Sequence, residues 1–301
     1  MNRRFAGWCI YLVILCGAFA LPLREFVTYA RHSEVHSYVL LIPFVTAYLI
    51  YIRWKHLSRE LSSAWGQSLL LAAAGTGALL ASEHFVDLGQ NDYMTLIALS
   101  FFCFVIAGTF LFLGSKWARS AMFPLFFLAV MMPLPEAAVD SLEDASKNAS
   151  AGVANWLFLI TGTPFLRTGT IFQLPGITIT VAKECSGIRS SLVLVITSLL
   201  AANMFLRTRW RRALLVGAVI PLGLLRNGLR ILVISLLCVH IGPEMINSVI
   251  HRRGGPFFFA ASLIPLFLLL WWLRRGEVGA TLRNINTDKE PKSVSANVES
   301  V

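Results

Sequence analysis

Hydrophobic residues along this 301-residue chain come in long blocks, and most polar residues lie between the blocks. A block of about 20 apolar residues is long enough to cross the ~30 Å hydrocarbon core of a bilayer as a helix. The pattern predicts eight spans: Trp8–Phe26, Tyr38–Ile52, Gln67–Ala81, Tyr93–Leu113, Ala121–Pro133, Gly187–Leu206, Ala213–Leu237 and Phe257–Leu273. We therefore expect an all-α polytopic membrane protein with about eight transmembrane helices.

The longest connection between predicted spans, residues 134–186, has a pattern of its own. Asp140–Thr161 is polar at its start and apolar towards its end, which predicts a helix lying in the membrane interface. Thr170–Leu174 and Ile177–Val181 lie on either side of a Pro-Gly pair, which is typical of a β-hairpin. The sequence thus predicts a small insertion, an interfacial helix plus a β-hairpin, between the fifth and sixth spans.

Composition supports the membrane assignment and excludes a soluble globular class. Of all residues, 56% are hydrophobic and only 14% are charged, and the mean hydropathy is +0.68. Residues 1–275 are expected to form a single integral-membrane catalytic domain that includes the insertion. Residues 276–301 are polar and rich in Asn, Ser, Lys and Glu, which predicts a disordered cytoplasmic tail.

The net charge of +10 indicates topology and not a nucleic-acid partner. When the N-terminus is placed in the cytoplasm, most of the 26 Lys and Arg residues fall in segments on that side of the membrane. This excess follows the positive-inside rule, so both termini of a multi-pass inner-membrane protein are expected in the cytoplasm. The same orientation puts the 134–186 insertion on the outer face.

Two arginines within the seventh predicted span need an explanation, because a charged side chain at mid-span costs about 2.5–3.5 kcal/mol on insertion scales. Arg226 and Arg230 are spaced i, i+4 and so share one helix face, with Asn227 three residues before Arg230. Arg230 lies ~26 Å along the span from its cytoplasmic start, in the outer half of the bilayer. The two arginines either form a structural pair, mark a break between two short spans, or serve a functional site.

Only one of the five cysteines lies in a polar context. Cys185 is predicted on the outer face, within a turn of the start of the sixth span. A helix N-terminus and Arg189 favour its nucleophilic thiolate, whereas the neighbouring Glu184 opposes it. The rival nucleophiles are Ser186, Ser190 and Ser191, and these are weaker because a serine needs an adjacent base. The other four cysteines lie in apolar spans, where they are expected to act as small hydrophobic residues.

His251 precedes the last span and is also predicted on the outer face. A histidine in this place is either an amphipathic surface residue or a general base. Cys185, Arg230 and His251 come from three separate segments, yet all three are predicted near one membrane surface. This convergence indicates a cysteine-centred catalytic site.

These motifs resemble the exosortase branch of the exosortase/archaeosortase family of membrane cysteine transpeptidases. The resemblance rests on Cys185–Ser190 (Cys-Ser-Gly-Ile-Arg-Ser), on Asn227–Ile231 (Asn-Gly-Leu-Arg-Ile) and on His251 before the final span. Met132–Glu136 (Met-Pro-Leu-Pro-Glu) and the turn at Leu174–Gly176 occupy the places of similar stretches in that family.

The resemblance implies that Cys185 is the nucleophile, Arg230 the arginine of the site and His251 its third member. The supporting candidates are Arg226, Asn227, Arg189, Ser186 and Gly187. The implied substrates are secreted proteins with a C-terminal sorting signal, made of a short Pro-containing motif, a transmembrane helix and a basic end. Membrane lipid and a cell-surface or exopolysaccharide acceptor are the other expected partners. No metal or cofactor is expected, and the sequence lacks a His-Glu-x-x-His zinc pattern.

Other hypotheses stay open on the sequence alone. The arginines favour a transporter or flippase of an anionic or lipid-linked envelope precursor, although no inverted repeat is visible. A serine enzyme that uses Ser186 is a further alternative. A structural subunit of a polysaccharide export complex would tolerate the loss of Cys185, Arg230 and His251 together.

Overall fold

The structure, a computed structural model, describes residues 3–33, 35–84, 88–181, 187–242, 244–245 and 254–289, and of residues 278–289 the backbone alone. The described chain is mostly helical. It forms two compact units, Met1–Glu143 and Asp144–Val301, with the boundary inside one long helix, Glu136–Ile160.

Five described helical segments are long and apolar enough to cross a membrane. They are Ser37–His56, Gln90–Phe112, Ile188–Phe205, Arg209–His240 and Gly255–Glu277. Two bent helix pairs, Arg3–Ala18 with Ala20–His32 and Met122–Met131 with Glu136–Ile160, raise the number to seven if each pair is one span. The polytopic helical class is therefore confirmed, whereas the predicted number of eight spans is not.

Two predicted spans account for most of this difference. The third forms a helix, Trp65–His84, but its many Ala, Gly and Ser residues keep it outside the five apolar segments. The fifth contains only the seven-residue helix Met122–Leu128 and a short 3₁₀ turn, and the chain bends by 88° before the next helix. Pro133 and Pro135 lie at this bend, where each removes a backbone N–H that a continuous helix would need.

The first unit is built from short and long helices around one apolar core. Its helices are α1 (Arg3–Ala18), α2 (Ala20–His32), α3 (Ile42–Arg53), α4 (Trp65–His84), α5 (Gln90–Phe112), α6 (Gly114–Ser120), α7 (Met122–Leu128) and the start of α8 (Glu136–Ile160). Trp8, Leu113 and Trp117 are buried in this core. The Trp8 indole Nε1 donates a hydrogen bond to Thr109 Oγ1 at 3.3 Å, which satisfies a polar group in an apolar setting.

Polar side chains fix the turn at Met132–Glu136 to α5. Asn91 Nδ2 donates a hydrogen bond to the Leu134 carbonyl at 3.0 Å, and the backbone N–H of the last residue of the turn donates to Asp92 Oδ1 at 2.8 Å. Tyr29 on α2 donates its hydroxyl hydrogen to Asn91 Oδ1. Side chains thus satisfy backbone groups that the interrupted helix leaves without helical partners.

The second unit combines a small sheet with the apolar helices. Its elements are the remainder of α8, β1 (Leu166–Thr168), β2 (Ile171–Leu174), β3 (Ile177–Thr180), α9 (Ile188–Phe205), α10 (Arg209–Gly217), α11 (Val219–His240) and α12 (Gly255–Lys289). The predicted hairpin is confirmed, since β2 pairs antiparallel with β3 and Leu174 lies opposite Ile177. Gly176 in its turn has φ +79°, a left-handed conformation that glycine adopts without strain. β1 was not predicted because three exposed residues carry no alternating pattern.

Two buried clusters hold the second unit together. One joins α8, the sheet and α11, with Phe158, Phe172 and Ile231 among its members. The other joins α9, α10, α11 and α12 and includes Leu194 and Leu266. The last helix continues through residues 276–289, the first part of the segment whose composition predicted a tail.

Candidate active site

Helices α9 and α11 run antiparallel in close contact. A Cβ atom at Gly223 on α11 would lie 3.0 Å from Ser191 Oγ on α9. One helical turn further along α11, Asn227 Oδ1 would lie 3.2 Å from a Cβ at Gly187, which is four residues before Ser191. Because the residue numbers of the contacting positions increase along α11 and decrease along α9, the two helices run in opposite directions. The absence of a side chain at Gly223 lets α9 approach this closely.

Arg226 is the residue of α11 that reaches the start of α9. Its Nη2 donates hydrogen bonds to the Gly187 carbonyl at 2.9 Å and to Ser191 Oγ at 3.1 Å. The side chain is buried, with 7% of the residue exposed. Its Nη1 is also buried and has no hydrogen-bond partner among the described residues.

Gly187 occupies the N-cap position of α9 with φ +69°, the left-handed region that favours glycine. The N-cap residue is a glycine and so provides no side-chain cap, and the first-turn N–H groups have no partner within the helix. Arg189 lies exposed in that first turn. The motif glycine is therefore needed for the turn itself, and it leaves room for the guanidinium of Arg226.

Arg230 lies one helical turn, about 6 Å, further along α11 than Arg226. Because α9 and α11 are antiparallel, this step leads beyond the first residue of α9, towards the side from which the chain enters that helix. Arg230 is half-buried and Asn227 is buried. The two arginines thus occupy different levels, and Arg226 is the one whose contacts to the N-terminus of α9 are established.

The segment that contains Cys185 and Ser186, residues 182–186, lies outside the described residues, as does His251. Its described neighbours on both sides border α11. Val181 is buried in the cluster that also contains Ile231 and Leu232, and Gly187 contacts Arg226. Both ends of the cysteine segment are therefore held beside the same stretch of α11.

The C-terminal part of α12 lies beside the end of α9 and the start of α10. The carboxylate of Glu277 accepts a hydrogen bond from the Arg207 backbone N–H at 3.0 Å, and Arg211 Nη1 donates to the Leu273 carbonyl at 2.7 Å. The far end of α12 is thus tied to the far end of α9. α12 also packs against α9 in the buried cluster that contains Leu194 and Leu266, and Pro265 lies inside α12. His251 precedes Gly255 by four residues.

Two serines that the sequence offered as rival nucleophiles have other roles. Ser190 Oγ donates a hydrogen bond to the Gly187 carbonyl at 3.1 Å, and Ser191 Oγ accepts one from Arg226. Within the described part of the chain, neither hydroxyl is hydrogen-bonded to a histidine or a carboxylate that would act as its base. Sequence reasoning missed the bond from Ser191 to Arg226, because nothing in the local pattern pairs these positions.

Comparison with known protein families gives a match over most of the chain. A family model described as transmembrane exosortase (Exosortase_EpsH) matches residues 30–268. No curated protein and no solved structure matches the chain. The matched region includes both arginines, the cysteine segment and His251.

Proposed function

Because the chain belongs to the transmembrane exosortase family, we propose that it cleaves a C-terminal sorting signal from secreted proteins and transfers them to a cell-surface acceptor. The family consists of membrane transpeptidases of the cysteine type that serve protein sorting. The substrate signal would comprise a short Pro-containing motif, a transmembrane helix and a basic end. Its helix would lie between spans, and its basic end would stay in the cytoplasm by the positive-inside rule.

One observation carries the assignment of the site. The described residues on both sides of the Cys185 segment border α11, with Val181 in the cluster of Ile231 and Gly187 in contact with Arg226. This supports the expectation that Cys185 lies near Arg230, and the convergence of His251 with them is part of the proposal. Orientation of this end towards the outer face, with both termini cytoplasmic, is part of the proposal.

In the first step, the Cys185 thiolate attacks the carbonyl carbon of the scissile peptide bond. Arg230 stabilises the negative oxygen of the tetrahedral intermediate, where a low dielectric strengthens its effect. The C–N bond then breaks, and His251 transfers a proton to the departing amine. The products are a thioester on Cys185 and the released C-terminal helix.

In the second step, an acceptor amine or hydroxyl attacks the thioester carbonyl while His251 takes its proton. The C–S bond breaks and the thiolate of Cys185 is regenerated. A cell-surface or exopolysaccharide acceptor gives transfer, whereas water gives hydrolysis. Neither step calls for a metal, and within the described part of the chain no cluster of His, Cys, Asp and Glu residues is arranged to hold one.

The competing hypothesis of a transporter or flippase for an anionic precursor explains the arginines alone. It gives no role to Cys185 or to the contact between Arg226 and Gly187. Family membership therefore favours the transpeptidase.

Coexpression with a protein that bears a candidate sorting signal tests the proposal. Removal of the tail should be lost in Cys185→Ala and in Cys185→Ser, at wild-type levels of protein in the membrane. Cys16→Ala is the matched control, because this exposed thiol lies on α1 and should be dispensable. Normal processing by Cys185→Ala would remove the thiol from the mechanism and return the transport hypothesis to first place.

A further inference from the structure

The guanidinium of Arg226 is satisfied on one side only. Nη2 makes two hydrogen bonds, to the Gly187 carbonyl and to Ser191 Oγ, while the buried Nη1 has none among the described residues. Nor does a carboxylate within the described part of the chain form an ion pair with this arginine. A buried N–H of a charged group without a hydrogen-bond partner is costly, so this nitrogen is suited to bind a further acceptor.

A second feature at the same place also attracts negative charge. The glycine at the N-cap of α9 provides no side-chain cap, and the first-turn N–H groups carry the positive end of the helix dipole. Such helix ends bind anions readily. The planar guanidinium holds Nη1 and Nη2 in a fixed fork, so the free N–H lies about 5 Å or less from the Gly187 carbonyl.

We propose that Arg226 Nη1 and the N-terminal amides of α9 form a binding site for a negatively charged oxygen of the acyl-donor substrate. The assignment of this oxygen to the substrate rests on the proposed function, whereas the anion site itself does not. Arg226 thereby acts beside Arg230: it contacts Gly187 and Ser191 with one nitrogen and binds the substrate with the other.

Two substrate groups offer this chemistry. One is the oxyanion that develops on the scissile carbonyl, and the other is a carboxylate near the cleavage point. Loss of a contact to the oxyanion lowers kcat and leaves KM unchanged, whereas loss of a contact to a ground-state carboxylate raises KM. If Arg226 binds a substrate carboxylate, Arg226→Gln should have no effect on a substrate that lacks this carboxylate. If it binds the oxyanion, the effect of Arg226→Gln should remain.

Alkylation of Cys185 detects the anion site without a protein substrate. Iodoacetate and iodoacetamide react alike: the sulfur forms a bond to carbon and iodide leaves, but only iodoacetate carries a carboxylate. The full-length protein in membrane vesicles is treated with each reagent, and mass spectrometry of the Cys185 peptide gives the two rates. The informative quantity is the ratio of the iodoacetate rate to the iodoacetamide rate.

We expect this ratio to fall about tenfold or more in Arg226→Gln, since charge-assisted hydrogen bonds are about twice as strong as neutral ones. Arg226→Lys keeps the charge and loses the fork, so its ratio should lie between the two. Arg167→Gln, which removes an exposed arginine from β1 in the same unit, should leave the ratio at the wild-type value. An unchanged ratio in Arg226→Gln overturns the anion site, as does a thiol that neither reagent reaches in the native membrane.

The wild-type chain provides a second measurement if Arg226→Gln fails to accumulate. Acetate should slow alkylation by iodoacetate and leave alkylation by iodoacetamide unaffected, and equal slowing of both refutes the site.

Processing by Cys185→Ala separates the two proposals. Loss of processing together with an unchanged alkylation ratio keeps the transpeptidase and removes the anion site. Retained processing removes the transpeptidase, and the ratio still decides the anion site.

Discussion

Gly187→Ala is expected to disrupt the candidate site through two separate effects. Gly187 has φ +69°, a conformation that L side chains rarely adopt. In addition, the new Cβ would lie 2.9 Å from Arg226 Nη2 and 3.2 Å from Asn227 Oδ1. The guanidinium would have to move away from the carbonyl that it now contacts at 2.9 Å.

The two effects can be given magnitudes. A left-handed conformation costs an alanine roughly 1–2 kcal/mol. Losing the hydrogen bond from a charged donor to the Gly187 carbonyl adds about 1.5–3 kcal/mol. We expect Gly187→Ala to lower the free energy of unfolding by about 2.5–5 kcal/mol, and a displacement of about 1 Å at the site to lower the rate of acyl transfer about 100-fold.

Gly162 offers a matched control for the conformational effect. It has φ +65°, and a Cβ built there meets no atom within 4 Å. Gly162→Ala should therefore cost only the ~1–2 kcal/mol of the left-handed backbone and leave processing intact. Thermal unfolding of both variants in detergent, together with tail removal in coexpressing cells, measures the difference. Equal destabilisation of the two variants with normal processing by Gly187→Ala would refute the contact between Gly187 and Arg226.

Three further predictions concern packing, pH and the anchor of the arginine. Gly228→Ala should lower the free energy of unfolding by about 1–3 kcal/mol through overpacking, because its Cβ would lie 2.5 Å from a side chain of α8. Gly152→Ala, whose Cβ meets open space, should not, and thermal unfolding compares the two variants. Burial lowers the pKa of His36, so the stability that its neutral ring contributes is complete above pH ~6.5 and is lost as pH falls below that value. Between pH 7.5 and 5.5, the unfolding temperature should therefore fall less in His36→Gln than in the wild type. Ser191→Ala removes one hydrogen-bond acceptor of the Arg226 guanidinium and should slow processing severalfold. Ser198→Ala loses only a hydrogen bond within α9 and should process normally, and equal rates in the two variants would contradict the role of Ser191 as an anchor for Arg226.

Local sequence patterns were sufficient for several parts of the fold. The hairpin at Ile171–Thr180 follows from alternating residues around Pro175 and Gly176, because a two-residue turn and its flanking strands are determined by neighbours in the chain. The apolar blocks gave the polytopic class for the same reason, since a span is a continuous stretch. The number of spans was less accessible, because α4 and the bend at Pro133 depend on how helices pack and end.

The sequence by itself determined the residue types of the candidate site. These are a thiol in a polar segment, a glycine shortly after it, and two arginines one helical turn apart. The sequence left open which residues Arg226 contacts, since i, i+4 spacing puts both arginines on one face of the helix without determining their partners. Only the tertiary structure decided that Arg226 contacts Gly187, because this depends on the axial register between α9 and α11. That register is set by the close approach at Gly223 and Ser191, a contact between residues far apart in the chain that no local pattern encodes.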